Sequence, residues 1–378
     1  MSVDPSNLLI AVARNSPDEE ELRGLAEKIT DWHLLVDLAL QHRALSILYA
    51  NLAGIDQYVP VEVQRRIVRE QDRVVMHNLS NAAELIAVLR EFEQEQIPAM
   101  PFKGVVLAAY AYGNLLHRQG GDLDIAVHSS DIARASKILK RRGYQLKTAI
   151  REDGAPTIDG CYEFAFQRPT DGKVLELRWR FDLVWKRYRR DLGIDWVWRN
   201  RQTVSVAGSD VPTICPEILL LLLCLHGGKH AWSRLIWVCD VARVLGSCPE
   251  INWQTTIAES NRLELGHVLS LGVLLAVRML GAPIPRDVLR RFEADRTAGR
   301  LCGHFQQNMM ERPGMTPAGF LPYGMQLLQW RDQLNAVACG RFVQPNERDR
   351  ALLPLPDRLA WAYYLVRPIR LLLDRSPR

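Results

Sequence analysis

Two aspartates stand two positions apart in RQGGDLDIAV, residues 118–127, directly behind a glycine pair and at the start of an otherwise apolar run. In an extended strand residues i and i+2 point to the same face, so Asp122 and Asp124 project together while Leu123, Ile125 and Val127 turn to the core. Desolvating an unpaired carboxylate costs far more than a neighbouring methylene returns. Two that converge also repel, which raises one pKa unless a cation neutralises them. Hard oxygen ligands at this spacing suit Mg²⁺, or Mn²⁺ in its place. The plainer alternative is that both acids only solvate a strand's entry from a turn.

The surroundings favour the metal. Upstream, IPAMPFKG is a short apolar run broken by two prolines, suited to a strand that ends at Lys103-Gly104. The following VVLAAYAYG reads as a helix, whose first free N–H groups and positive end can hold phosphate. Downstream, Glu176 interrupts VLELRW between Leu175 and Leu177. If its strand lies beside DLDIAV, three carboxylates share one open face. Three acids and a phosphate-holding glycine turn suit nucleotidyl transfer, in which two Mg²⁺ about 3.5–4 Å apart stabilise the attacking and leaving oxygens.

The stretch FKGVVLAAYAYGNLLHRQGGDLDIAV, then VLELRWRF and LCLHGGKHAWSRLIWVCDVARVL, resembles the uncharacterised nucleotidyltransferase family of the DNA polymerase beta-like superfamily. The resemblance extends to DWHLLVDLALQHRALSILYANL near the start of the chain. It implies that Asp122 and Asp124 are metal ligands, and that Glu176 is the third acid, a shared ligand or a general base for the acceptor hydroxyl. It also implies that Lys103, Gly104, Arg118 and Gly121 line the nucleotide's phosphate side. Two departures stand out: Val105 follows Gly104 where the superfamily usually has a second small residue, and residue 176 is Glu rather than Asp. Sequences of this kind often sit beside genes for peptide or glycan tailoring, which implies an NTP as donor and a small molecule, peptide or protein as acceptor. The expected reaction moves a nucleoside monophosphate from the NTP to an acceptor hydroxyl or phosphate and releases pyrophosphate. A non-catalytic nucleotide- or RNA-binding module on the same fold is the alternative.

The elements that must position these residues follow from periodicity. Residues 1–95 read as successive helices, with Leu22, Leu25 and Ile29, then Leu34, Leu35, Leu38 and Ala39, at helical spacing. Ser16 before Pro17, followed by Asp18, Glu19 and Glu20, marks a capped helix start. Residues 96–210 alternate strand and helix: Ser130 is placed to cap DIARASKILKRR before Gly143, and YEFAFQRPTDGKVLELRWRF reads as a hairpin turning at Asp171-Gly172. Residues 211–378 return to helix. The expected fold is α+β, a small mixed sheet embedded between helical N-terminal and C-terminal regions.

Composition sets the remaining bounds. The 378 residues are 48% apolar and carry 48 Lys+Arg against 43 Asp+Glu, a net charge of +5 too small to hold a polyanion without a local patch. The seven cysteines, Cys161, Cys215, Cys224, Cys239, Cys248, Cys302 and Cys339, form no CxxC pair, as expected of free thiols in the cytoplasm. No signal-peptide pattern opens the chain, and the apolar run Ile218–Leu225 is far short of the ~20 residues a membrane span requires.

Three further features invite chemistry. His226 and His230 are four apart, a zinc-like spacing, but the glutamate of a metalloprotease HExxH is missing and Gly227-Gly228 weakens the helix. Lys229, His230 and Trp232 are placed to hold base or triphosphate at a cleft; equally, this is a packed helix whose Asp240 pairs with a nearby cation. Residues 178–201 interleave Arg and Lys with Trp and Tyr, which suits either nucleic acid or the rim of a buried helix. The tail DRLAWAYYLVRPIRLLLDRSPR could lie on a membrane surface, although Pro368 interrupts it.

Overall fold

The computed structural model describes residues 4–147, 163–181 and 193–310, with isolated positions between 353 and 369. The alternation of VLELR decides the sheet. Leu175 and Leu177 are fully buried, while Glu176 and Arg178 lie on the opposite, half-open face. The strands are β1 (Ala99–Pro101), β2 (Leu123–Val127), β3 (Gln145–Leu146), β4 (Glu163–Gln167), β5 (Val174–Arg178), β6 (Arg201–Val206) and β7 (Ser209–Ile214). Five form one mixed sheet in the order β1-β2-β5-β4-β3, in which only β2 and β5 run parallel. The fold is α+β. The β4–β5 hairpin turns at Gly172, in the left-handed region at φ +71°.

Strands β6 and β7 form a separate hairpin that abuts β1, with the Thr213 hydroxyl donating to the Pro101 carbonyl at 2.8 Å. Sequence reading passed over it. Its signal is Ala207-Gly208, both at positive φ, inside RQTVSVAGSDVPTI.

The two helical regions, far apart in sequence, are joined in space. One apolar core runs from Leu8 and Leu9 through Leu35, Leu45 and Ile67 to Leu219, Val238, Leu271 and Phe305. A second core lies between the sheet, the long helix Val61–Gln94 and the helix Ile132–Arg141. Two caps differ from expectation. Asp18, not Ser16, caps Glu19–Ala26 by accepting from the amides of Glu20 and Glu21. Ser130 lies in a 3₁₀ turn, Ser129–Asp131, and makes no capping bond to the helix that follows.

No helix among the described residues is long and apolar enough to cross a membrane. Ile218–Leu225 sits inside the helix Pro216–Lys229 and is buried throughout. Cys215, Cys224, Cys239, Cys248 and Cys302 are free thiols; Cys161 and Cys339 lie outside the described residues, as does nearly all of the C-terminal tail.

Candidate active site

The parallel register pairs Asp124 with Glu176, so both carboxylates rise from the same face of the sheet. Asp124 is 8% exposed in a strand that is buried along its whole length. Its Oδ1 accepts no hydrogen bond, and the Lys103 ammonium stands 3.5 Å away. Asp122 lies at the bend before β2, exposed to solvent. Glu163, which the sequence did not single out, joins them from β4: Arg178 is salt-bridged to Glu163 and reaches Glu176 Oε2 at 3.4 Å.

This crowding has an electrostatic consequence. Desolvation, then the charges of Asp124, Glu163 and Asp122, push Glu176 up from its ordinary 4.5 to about 7, and Arg178 opposes them only partly. Ionisation is thus harder in the folded chain than in the unfolded one, and stability is lost as pH rises from 4.5 through 7. In the metal-free protein, Glu176→Gln is expected to be the more stable form above pH 7 by on the order of 2 kcal/mol. The gain should shrink toward zero at pH 5, as urea midpoints at pH 5 and pH 8 will show.

The donor set fits a hard divalent cation. Oxygen ligands, a buried Asp124 oxygen without a hydrogen bond and carboxylates held in mutual repulsion are what such an ion relieves. Among the described residues no three His, Cys, Asp or Glu side chains form a ready-made metal cage. Mg²⁺ seldom needs one, because it binds through one or two carboxylates and completes its shell with water and substrate phosphate.

The Lys103-Gly104 turn packs directly against the acids. Gly104 opens the helix Gly104–Tyr112 at φ +55°, and a Cβ there would stand 3.0 Å from the Asp122 carbonyl oxygen. Both the left-handed backbone and the close approach require glycine. Gly104→Ala is expected to destabilise the protein by about 1–2 kcal/mol, the cost of left-handed backbone for a residue with a Cβ. Because relief of the contact must move the turn away from Asp122, nucleotide affinity should fall with it; urea unfolding and equilibrium NTP binding measure the two effects.

The loop carrying Arg118, Gly120 and Gly121 hangs from the long helix. Asn78, fully buried, donates to the carbonyls of Leu115 (2.7 Å) and Arg118 (2.8 Å) and accepts from the Gly120 amide (3.0 Å). Gln71 donates to Leu116 O at 3.1 Å, and Asn81 to Gly121 O at 2.8 Å. These positioning residues were missed. Their trace in the sequence is a polar stripe, Gln71, Asn78, Asn81, on a face shared with Ile67, Val74 and Leu85.

Arg118, expected to steady phosphate, is spent elsewhere. It is 9% exposed, its Nε and Nη2 donate to both carboxylate oxygens of Asp240 at 2.6 and 2.8 Å, and its Nη1 reaches Gly104 O at 3.4 Å. The Tyr112 hydroxyl completes the cluster by donating to Asp240 at 2.8 Å. In this arrangement Arg118 is a strut between the Lys103-Gly104 turn and the helix Leu235–Ser247.

The histidine helix continues to Lys229 without a break. Gly227 serves packing: a Cβ there would lie 2.5 Å from the Trp232 ring, and Trp232 is fully buried. Trp232 is thus core and not a cleft wall. His226, His230 and half-buried Trp237 form an aromatic cluster, with His230 stacked on Trp237 at 5.1 Å. Lys103 Nζ lies 3.5 Å from His226 Nδ1. Desolvation, then Lys103 and the other nearby cations, hold His226 well below an ordinary histidine, and desolvation followed by Lys229, Lys103 and Arg234 does the same to His230. Both imidazoles are thereby biased toward the neutral form, and the Lys103 ammonium lies between His226 and Asp124. Lys229 is exposed at the helix end. Of the basic and aromatic segment 178–201, residues 182–192 lie outside the described residues; Trp179 and Phe181 are core.

Several solved structures are similar over part of the chain. A lincomycin-bound lincosamide antibiotic adenylyltransferase, LnuA, is 15% identical, with 43% of this chain and 94% of that one covered at a TM-score of 0.32. ANT(2″)-Ia in complex with adenylyl-2″-tobramycin is 10% identical, with 49% and 97% covered at a TM-score of 0.35. A nucleotidyltransferase-like protein from Paracoccidioides brasiliensis is 16% identical, with 50% and 91% covered at 0.29. A search of curated proteins gives no match. The family model described as uncharacterised nucleotidyltransferase matches residues 28–281, a span that takes in the acids, the Lys-Gly turn, the asparagine stripe and the histidine helix, and the chain belongs to that family.

Proposed function

We propose that this nucleotidyltransferase moves a nucleoside monophosphate from an NTP to an acceptor hydroxyl or phosphate in a Mg²⁺-dependent reaction. The observation that carries the reading is the Asp124–Glu176 register, with the unbonded Asp124 oxygen beside Lys103 and the Gly104 turn. Asp122, Asp124 and Glu176 would hold the metal. A bound divalent ion supplies charge neutralisation at the transferring phosphoryl group and its leaving oxygen.

The chain's own residues do the rest. The amides opening the helix Gly104–Tyr112 and the Lys103 ammonium bind and orient phosphate oxygens, and the buried strand β2 keeps water from one side of the site. The acceptor oxygen forms a bond to the α-phosphorus, the bond from that phosphorus to the α,β-bridging oxygen breaks, and pyrophosphate departs. Glu176 would act either as a shared metal ligand or as the base that takes the acceptor's proton. Catalysis is positioning and charge neutralisation, as in phosphoryl transfer generally. The acceptor class that fits the resemblance is a small molecule, peptide or protein used in peptide or glycan tailoring.

The test is incubation with each α-labelled NTP, Mg²⁺ and extract from the native host. Label should move to an acceptor with release of pyrophosphate, and EDTA should stop it. Salt-sensitive RNA binding with no transfer from any NTP would replace this reading with that of a non-catalytic binding module.

A further inference from the structure

We propose that Arg43 and Arg234 form a clamp for the polyphosphate tail of the donor nucleotide, the β- and γ-phosphates that leave as pyrophosphate. The inference rests on the nucleotidyl-transfer reading and assigns that reaction's leaving group to two residues that lie within the stretches resembling the family but to which the resemblance gave no role.

Arg43 is pressed against the acidic loop. Its Nη1 lies 3.1 Å from where a Gly121 Cβ would stand, so the glycine immediately before Asp122 makes room for a guanidinium. Arg43 also adopts a left-handed backbone, φ +54°, unusual for a residue with a long side chain. Arg234 is fixed next to it through the two amides that follow it, which bond to the ring and the carbonyl of His42. The Leu235 amide donates to His42 Nδ1 at 3.1 Å, and the Ile236 amide to His42 O at 3.2 Å. The guanidinium of Arg234 also lies over the Trp237 ring, 5.7 Å from its centroid, the ring on which His230 stacks.

The two cations repel one another. Burial, then Arg234, lowers the pKa of Arg43, and Asp122 counteracts this only in part. By contrast, three other half-buried or buried arginines are neutralised by carboxylates: Arg118 by Asp240, and Arg142 and Arg168 by Glu84. Arg43 and Arg234 form no ion pair and no side-chain hydrogen bond with any described residue. Two neighbouring guanidinium forks, Arg43 against the acidic loop and neither in an ion pair with a described residue, match a ligand with several phosphate oxygens. The metal would be shared with the α-phosphate and the arginines would take the far end.

Calorimetric titration of the full chain in EDTA with inorganic tripolyphosphate separates this clamp from the metal site, and titration with ATP, with and without Mg²⁺, tests the wider reading. Arg43→Gln and Arg234→Gln are each expected to weaken tripolyphosphate binding about tenfold, the size of one lost charge-assisted contact. Arg43→Lys and Arg234→Lys should retain more of the affinity, which guards against loss by misfolding, and melting curves of all four variants accompany the titrations. A wild-type protein that binds ATP in neither buffer overturns the nucleotidyl-transfer reading and the clamp together. If wild type binds ATP but not tripolyphosphate, or both Gln variants hold tripolyphosphate as tightly as wild type, the clamp alone falls.

Discussion

Asp124→Asn is expected to lower nucleotidyl transfer by about a thousandfold or more while leaving the protein folded. The amide has nearly the same shape as the carboxylate, so the packing of β2 between β1 and β5 survives. What disappears is the charge on the oxygen that accepts no hydrogen bond, the feature most suited to a divalent ion. Losing a ligand's charge removes several kcal/mol of transition-state stabilisation, and each 1.4 kcal/mol or so is tenfold in rate. Stability should move the other way or not at all. Lys103 loses a partner at 3.5 Å, but the repulsion that raises Glu176 is relieved as well. Single-turnover transfer of label from the NTP, together with a thermal melt, checks both halves. Activity within tenfold of wild type would move the metal away from Asp124. Asp122→Asn should act in the same direction with a smaller effect on melting, because Asp122 is already exposed.

Much of this site was legible in the sequence because it depends on local periodicity. A strand has period two, so LDIAV and LELR each declare which side chains share a face, and Asp-Gly declares the reversal between β4 and β5. The pairing of β2 with β5 was stated as a condition and is found in the register Asp124 to Glu176. What was not legible depends on contacts between distant segments. Nothing local to Arg118 reveals that Asp240, 122 positions later, will occupy its guanidinium. The asparagine stripe is similar: Asn78 and Asn81 look like solvent-facing amides on a long helix until the loop they suspend is in place. Trp232 and Gly227 show the reverse error, an aromatic read as a cleft wall that instead fills the space left by a missing Cβ.

Asp240→Ala is expected to destabilise the protein by about 3–5 kcal/mol, the usual cost of leaving one partner of a buried ion pair uncompensated. Asp240 is 2% exposed and accepts three hydrogen bonds, from Arg118 Nε, Arg118 Nη2 and the Tyr112 hydroxyl. Removing it strands a guanidinium that is itself 9% exposed. The loss belongs to the orphaned charge more than to the bond. The double variant Arg118→Met/Asp240→Leu should therefore recover most of the stability, because it removes both charges and keeps similar volume. Recovery should not extend fully to nucleotide binding. Arg118 Nη1 also reaches the Gly104 carbonyl, and its loop carbonyl is held by Asn78, so the strut ties the Lys103-Gly104 turn to the helix behind it. A double variant with near-native urea midpoint but weakened NTP affinity would identify Arg118 as a positioning residue. Native affinity in that variant would reduce the pair to a matter of folding. Loss of stability in the double variant as large as in Asp240→Ala would show that the pair contributes through its own attraction and not merely by avoiding an unpaired charge.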